Sequence, residues 1–420
     1  MDLKETAKII IGKALSSAQP REAVARALAG EDLPERITLV AIGKAAWQMA
    51  EAAQNMLGEK IRQGIVITKY GHAMGELPGL EIWEAGHPVP DDNSYRATQA
   101  ALDMVSELTE GDLVLFLVSG GGSALFEKPV ISGEELADVT RQLLASGADI
   151  TKMNTIRKRL SQVKGGKFAL ACGKARVLSI VLSDIIGDPL DMIASGPAYP
   201  DASTAAEALE IVKDYGLKLS PEAMAALTAP TPKMLPNVRT VVTGSVTQLC
   251  RSAADTCREL GIEPRVLTAS LSCTARDAGC FLASIAQYHQ DTDHPVAYIL
   301  GGETVVRLTG SGKGGRNQEL ALAAAEGLRG IPNAAVFSVG SDGTDGPTYA
   351  AGGYVDGTTC QTLLDRGIRI ADVLRENDAY HALKQADGLI ITGPTGTNVN
   401  DLTVLLLDIS GKCENFVDKP

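Results

Sequence analysis

The residues able to do chemistry in this chain recur at one kind of place, the junction where an apolar run ends and a glycine-rich turn begins. Lys44 follows such a run in "AIGKAAW", and Ser119 and Ser123 bracket Gly120, Gly121 and Gly122 in "VLFLVSGGGSALFEKP". Asp184 and Asp188 stand in "VLSDIIGDPLDMIASGP", and "VVTGSVT", "ILGGET", "SVGSDGTDG" and "ITGPTGTNVND" repeat the device. A single glycine turn is explained by a backbone that needs positive φ. Seven strand ends of this type in one chain point instead to ligand binding, because open α/β sheets bind ligands beyond the carboxyl ends of their strands.

The chemistry these residues suit is the handling of an anion. Glycines between a strand and a helix let backbone N–H groups converge on a phosphate or carboxylate, and Ser119 and Ser123 add hydroxyl donors. The pattern is not a P-loop, since G-x-x-x-x-G-K-[ST] is absent. Lys44 and Arg316 both open helical segments, where a cation opposes the helix dipole, and a bound anion would remove that conflict. Asp184 and Asp188 read either as turn-forming acids or as groups that hold Mg²⁺ or orient a substrate hydroxyl, and Asp342 and Asp345 offer the same two roles. From Thr151 to Lys167 the chain carries Lys152, Arg157, Lys158, Arg159, Lys164 and Lys167 and no acid. That stretch is either a solvated helix face or a funnel drawing a small anion to a negative protein.

Other chemistries find less support. "TGSGKGGRNQEL" fits G-x-G-x-x-G through Gly310, Gly312 and Gly315 and precedes a helix, which is the basis of an alternative, NAD-binding reading. The run before it is short and amphipathic, and no acid follows about twenty residues later at a strand end, as a dinucleotide fold requires. The five histidines show no metal-ligand spacing; His72 in "KYGH" and His87 in "AGHPVPD" fall in loops after strands, where either could line a cleft, and structural hydrogen bonding is the favoured reading of both. No G-x-S-x-G elbow is present.

Elements that would position these groups alternate along the chain. The strand candidates are "ITLVAIG", "GIVITK", "LEIWEA", "LVLFLVSG", "VLSIVLSD", "VRTVVTG", "PRVLTA", "VAYILGGE", "AAVFSVGSD", "GLIITG" and "LTVLLLDI", with helix-length amphipathic segments between most of them. Several are apolar on both faces, as strands covered by helices on each side must be. An α/β fold follows, with a doubly wound parallel sheet in the N-terminal part. "VVRLTG" reads as a hairpin partner of "VAYILGGE", which would make the C-terminal sheet mixed. The 420 residues exceed one usual core, and the prolines of "LTAPTPKMLPNVRT" place a division near 235, giving domains 1–235 and 236–420.

Composition bounds the partners. A formal net charge of −12 opposes nucleic-acid binding, which needs a basic surface. No apolar run approaches the length of a membrane span and no signal peptide is visible, so a cytoplasmic protein is expected. Cys172, Cys250, Cys257, Cys273, Cys280, Cys360 and Cys413 form no C-x-x-C pair and read as reduced thiols.

Taken in order, "IGKAA", "TKYGH", "EAGHPVPDDNS", "LVSGGGSAL", "MNTIRKRLSQVKGGKFA", "LSDIIGDPLDMIASGP", "GGETVVRLTGSGKGGRNQELAL", "GSDGTDGPTYAAGGYVD" and "TGPTGTNVNDL" resemble the class II glycerate kinases, the glycerate 2-kinase group with a C-terminal MOFRL part. The resemblance runs from about residue 40 to residue 402. It implies a Rossmann-like N-terminal domain, a C-terminal α/β domain with a mixed sheet, and an active site in the cleft between them. It also implies transfer of the ATP γ-phosphoryl group to the 2-hydroxyl of D-glycerate, with Mg²⁺ required; because members of the family have also been labelled hydroxypyruvate reductases, an NAD(P)H-dependent hydroxypyruvate reductase is the alternative. Lys44 and Arg316 match the lysine and arginine that act on the substrate or the transferring group. We expect Asp184 to join them as a catalytic residue, with Asp188 and Asp345 as metal ligands. Ser119 to Ser123, Lys152, Asn154, Arg157, Glu303 and Asn317 would bind substrate or phosphate, in a monomer or homodimer whose partners are small molecules. Tyr349 stands where the family pattern leads one to expect an acid, which weakens any role for that position.

Overall fold

The structure is a computed structural model, described over residues 2–409. Cys413 lies outside the described residues. The chain forms two compact units: one comprises Pro20–Ser183 and Asp188–Thr243, and the other takes the residues up to Gln19, Asp184–Gly187 and the chain from Gly244 onward.

In the first unit the strands are β1 (Ile37–Ile42), β2 (Ile61–Lys69), β3 (Leu80–Ala85), β4 (Leu113–Val118), β5 (Arg176–Leu182) and β6 (Val238–Gly244). They lie in the order β3-β2-β1-β4-β5-β6, with parallel pairing from β3 to β5. β1 and β4 are buried at every position, which is why their sequences are apolar on both faces. The core beneath joins Leu39, Ala41, Leu115, Leu117 and Ile180 to Trp47, Met49 and Ala53 of the helix Ala46–Leu57. Between β4 and β6 the chain adds a helical satellite, whose small core gathers Leu136, Leu143, Ile156, Ile211 and Leu227.

The second unit contains β7 (Glu263–Leu271), β8 (Val296–Gly302), β9 (Ala334–Gly340), β10 (Gly352–Asp356), β11 (Leu389–Ile390) and β12 (Asp401–Leu407), in the order β11-β10-β9-β12-β8-β7. The sheet is mixed, though not for the expected reason. The "VVRLTG" segment makes no hairpin; only Val305 forms a bridge, parallel, to Thr274. The antiparallel character comes from β12, which runs between β8 and β9 against both, and from β10 beside β9. β10 carries the strand that the sequence hides inside "AAGGYVD".

The second unit resumes at Gly244, past the expected division at 235, because β6 completes the first sheet. It also takes the N-terminal helix Leu3–Ser17, whose Ile10, Ile11 and Ala14 pack with Leu249, Ala253, Phe337 and Val404. The six described cysteines are free, and burial pushes the thiols of Cys172, Cys250 and Cys257 up to about 12. No helix among the described residues is long and apolar enough to cross a membrane.

Candidate functional site

Register brings the first unit's functional residues together. Ile42 at the end of β1 pairs with Val118 at the end of β4 and with Ile67 of β2, while Lys69 pairs with Ala85 at the end of β3. The turns after β1, β2, β3 and β4 therefore emerge side by side at the carboxyl edge. The strand order reverses between β1 and β4, the switch point where such sheets bind ligands.

Lys44 and Ser119–Ser123 flank that point. The Lys44 amide donates to the Gly120 carbonyl at 2.9 Å. Gly121 sits at φ +86°, and a Cβ there would lie 3.0 Å from the His87 ring and 3.3 Å from Lys44 Cγ, so only glycine lets the turn lie against both. His72 Nδ1 lies 3.1 Å from the Lys44 carbonyl, and the His72 amide donates to Glu84. The ammonium groups of Lys44 and Lys69 have no hydrogen-bond or ion-pair partner among the described residues. Burial, followed by the charges of Lys44, Lys69 and His72, pushes the His87 imidazole below its ordinary pKa, so it is neutral near pH 7.

The glycine turn differs in detail from what its sequence implies. The helix behind it, Gly122–Leu125, is a single turn, too short to supply a useful dipole. What remains is a local nest: the amides of Gly121 and Ser123 meet no backbone carbonyl among the described residues. Ser119 is 3% exposed, and its hydroxyl donates to the Ile42 carbonyl while accepting from the Ala45 amide, so it ties two turns together instead of facing a ligand. Ser123 is half-buried and meets Ser195 Oγ at 2.7 Å; Ser195 in turn donates to Asn154 Oδ1 at 3.0 Å. Arg157 Nη2 donates to the Ser123 carbonyl at 3.2 Å. Ala194 and Ser195 both adopt positive φ, at 51° and 60°, a strained pair of the kind found where a site is built.

The basic stretch is neither a funnel nor a solvated face. Lys158 pairs with Asp191 and Asp201, Arg159 donates to the carbonyls of Leu227, Ala229 and Ser203, and Lys164 pairs with Glu127 at 2.7 Å in full burial. Lys167 donates to the carbonyls of Lys158, Arg159 and Ser161, closing the carboxyl end of the helix Ile150–Arg159. Burial pushes Lys164 and Lys167 down to about 8. Lys152 turns away to Tyr215, whose hydroxyl it meets at 3.0 Å, so it does not join Asn154 and Arg157. These cations are structural clamps whose acids lie elsewhere in sequence, which is why the run looked unpaired.

The second unit assembles another group. β12 starts where β8 and β9 end, since Asp401 pairs with Gly302 and Gly340, and this places Asp401 beside Glu303. Arg316 donates to both Asp401 oxygens, at 2.6 and 3.0 Å, and to Glu303 Oε1 at 2.8 Å. Burial opposes its charge, yet Asp401 and then Glu303 hold the guanidinium well above its ordinary pKa. Burial pushes the Asp401 carboxyl up against the same bond. Arg316 thus needs no external anion to offset its place at a helix start, contrary to the expectation from its position.

Asp345, expected as a metal ligand, has another occupation. Gly315 has no side chain to cap the helix Arg316–Leu328, and Asp345 does so instead, accepting from the Asn317 amide at 3.2 Å and the Gln318 amide at 2.9 Å. Burial raises its carboxyl to about 6 despite those bonds. Asn317 is buried and links Asp345 to Ser338, facing inward. A cavity of about 990 Å³ opens over this corner, its lining including the apolar Val305, Val306 and Leu308 and the charged Glu303, Arg316 and Asp342. The glycines of "TGSGKGG" line it, but they serve packing: a Cβ at Gly312 would lie 2.5 Å from Asp378 Cβ and from the Glu376 carbonyl. β8 ends at Gly302 and an irregular stretch separates it from Gly310, so these glycines do not form the strand-to-helix turn of a dinucleotide site.

Asp184 and Asp188 separate. Asp184 belongs to the second unit, where its carbonyl accepts from Asn400 Nδ2 at 3.4 Å, and Asp188 belongs to the first. Asp188 sits at φ 51° with its Oδ1 buried and without a hydrogen-bond partner among the described residues. No cluster of three His, Cys, Asp or Glu residues suited to a metal occurs among the described residues. Mg²⁺ does not require one, because it commonly binds one or two carboxylates and completes its shell with water and phosphate oxygens. The orphaned oxygen of Asp188 fits that demand. Lys69, the last residue of β2, was not singled out in the sequence, and His87, weighed there as a loop residue, joins it because β2 and β3 pair Lys69 with Ala85, two residues before His87.

A doubly wound parallel sheet with Lys44, His87 and a glycine turn at its switch point, joined to a mixed-sheet unit, defines an α/β protein. The comparisons name the class more narrowly. Residues 6–228 match a family described as "Domain of unknown function (DUF4147)" and residues 296–401 match the MOFRL family. The chain is 50% identical to a D-glycerate 2-kinase of Thermotoga maritima, over 96% of this chain and 98% of that one. It is 38% identical to a glycerate 2-kinase of Pyrococcus horikoshii, over 97% and 98%. A protein of Agrobacterium vitis named putative hydroxypyruvate reductase is 37% identical, over 96% and 94%. A crystal structure of the Thermotoga maritima glycerate kinase superposes with a TM-score of 0.92, covering 96% of this chain and 99% of that one. The chain belongs to the glycerate 2-kinase family, with a MOFRL region in its C-terminal part.

Proposed function

We propose that the protein transfers the γ-phosphoryl group of ATP to the 2-hydroxyl of D-glycerate, releasing 2-phosphoglycerate and ADP. The observation that carries this is that Lys44 and His87 meet at Gly121 while the Lys69 charge acts on the same imidazole, two cations without acidic partners beside a neutral ring. The names of the relatives in Thermotoga maritima and Pyrococcus horikoshii support the same reaction.

Phosphoryl transfer asks for positioning and for charge neutralisation at the transferring group. Lys69 and the amides of Gly121 and Ser123 receive the glycerate carboxylate, and Lys44 meets the charge developing on the phosphoryl group. His87, neutral near pH 7, accepts the proton leaving the 2-hydroxyl. Asp188 is the residue that would hold Mg²⁺, which neutralises phosphate charge when bound. Arg316 ties Glu303 to Asp401 and keeps a third of its side chain exposed, at 33%, which leaves it open to a phosphate in the cavity it lines. Asp184 keeps a supporting place as the carbonyl that Asn400 holds.

Phosphorus NMR of the protein with D-glycerate, ATP and Mg²⁺ tests the reaction. A 2-phosphoglycerate signal with equivalent ADP is expected. A 3-phosphoglycerate signal would move the attack to the other hydroxyl, and no phosphorylated product from folded protein would overturn the proposal. The reductase label of the Agrobacterium vitis relative predicts NADH oxidation with hydroxypyruvate, which a protein whose Gly310 does not directly follow a strand should not show.

A further inference from the structure

The hydroxyls of Ser123 and Ser195 and the amide of Asn154 form a chain whose direction is fixed by counting protons. Asn154 Nδ2 faces Met192 Sδ at 3.4 Å, and its Oδ1 faces Ser195 Oγ at 3.0 Å. Turned over, the amide would set its carbonyl oxygen against the sulfur, two acceptors face to face, so the carbonyl belongs towards Ser195. Ser195 then gives its one hydroxyl proton to Asn154. The 2.7 Å contact between Ser195 Oγ and Ser123 Oγ must consequently use the proton of Ser123. Ser195 and Asn154 are buried, at 0% and 3% exposure, so neither can exchange these partners for water. Ser123 is half-buried and stands two residues beyond Gly121, the glycine that touches Lys44 and His87.

Ser123 therefore presents lone pairs and no proton to whatever occupies the site, which makes it a poor donor to a carboxylate or phosphate. We infer that Ser123 accepts a hydrogen bond from the substrate hydroxyl that does not react, the 3-hydroxyl of glycerate, and so selects hydroxymethyl over methyl at that position. This rests on the kinase reading above. The chain ends in a neutral amide carbonyl, which can accept a hydrogen bond but cannot take up a proton at ordinary pH. It therefore suits a hydroxyl that stays protonated throughout and not the one that attacks phosphorus. Ser195 and Asn154 act through Ser123 as positioning residues, and the positive φ of Ser195 is the backbone cost of aiming its hydroxyl both ways.

The test compares D-glycerate with D-lactate, which lacks only the 3-hydroxyl, on the full-length enzyme with ATP and Mg²⁺. The readouts are kcat/KM for D-glycerate and the constant for D-lactate as substrate or competitive inhibitor. Ser123→Ala should lower kcat/KM for D-glycerate roughly tenfold to a hundredfold and leave the D-lactate constant within about twofold. Ser195→Gly, which relieves the positive φ while deleting the hydroxyl, should erode the same preference although Ser195 touches no substrate. Equal losses on both ligands would make Ser123 a carboxylate donor and overturn the inference. Unchanged constants, or a wild-type enzyme indifferent to the 3-hydroxyl, would overturn it as well. If the wild type fails to phosphorylate D-glycerate at all, the kinase reading itself is wrong, a result distinct from these.

Discussion

Two turns in this protein present the same local conflict, a cation at the start of a helix after a glycine-rich segment, and they resolve it in opposite ways. At Arg316 the resolution is internal: Asp401 and Glu303 hold the guanidinium at three points, and Asp345 caps the helix. At Lys44 no acid answers, and His87 lies against the same turn under the charges of both Lys44 and Lys69. A self-satisfied cation cluster holds strand ends together, whereas an unsatisfied one waits for a ligand. Residue type and position do not separate the two cases; the location of the acids does.

The contrast can be broken at either end. Lys44→Ala should lower kcat roughly 10²–10³-fold, the scale of one electrostatic donor, while leaving the denaturation midpoint where it was. A kcat close to wild type would remove Lys44 from the chemistry. Arg316→Ala leaves Asp401, 5% exposed, with an unmatched charge, and should cost about 3 kcal/mol of stability in a urea titration. A stability unchanged by that substitution would show that the cluster around Arg316 is not a structural one.

His87→Gln should lower kcat on the order of 10²-fold. Because burial and neighbouring cations depress the pKa of His87, the group stays a neutral base further into acid than an ordinary imidazole, and wild-type kcat/KM should fall only as pH drops through that lowered value. An acid limb at or above the ordinary imidazole value would exclude His87 as the acceptor. Asp188→Asn should raise the Mg²⁺ concentration for half-maximal rate by about tenfold or more, with Tm little changed, since its orphaned oxygen supports no internal bond. An unchanged Mg²⁺ requirement would place the metal elsewhere.

Much of the frame was legible in the sequence because β1, β4, β8, β9 and β12 are buried on both faces and so read as unbroken apolar runs. β10 was not, because its five residues begin with Gly352 and Gly353, which resemble the Asp-Gly turn before them. The apparent hairpin at "VVRLTG" failed since β12, some hundred residues later in sequence, occupies the place beside β8. The site was half legible. Lys44 and the Gly120–Ser123 turn stand out by type and position, but Lys69 and His87 gain meaning only when β2 and β3 align Lys69 with Ala85. Proton direction in the Ser123–Ser195–Asn154 chain, and the acids that answer the basic run at Glu127, Asp191 and Asp201, depend on contacts that no spacing encodes.

The most direct measurement is an NMR titration of the imidazole signals of the wild-type protein with D-glycerate, His87 being assigned from the spectrum of His87→Gln. If the unpaired cations receive the anion, the His87 resonances shift saturably and its pKa rises, because a bound carboxylate offsets the charges of Lys44 and Lys69. A His87 signal that stays fixed at glycerate concentrations saturating turnover would contradict the assignment of that turn as the substrate site.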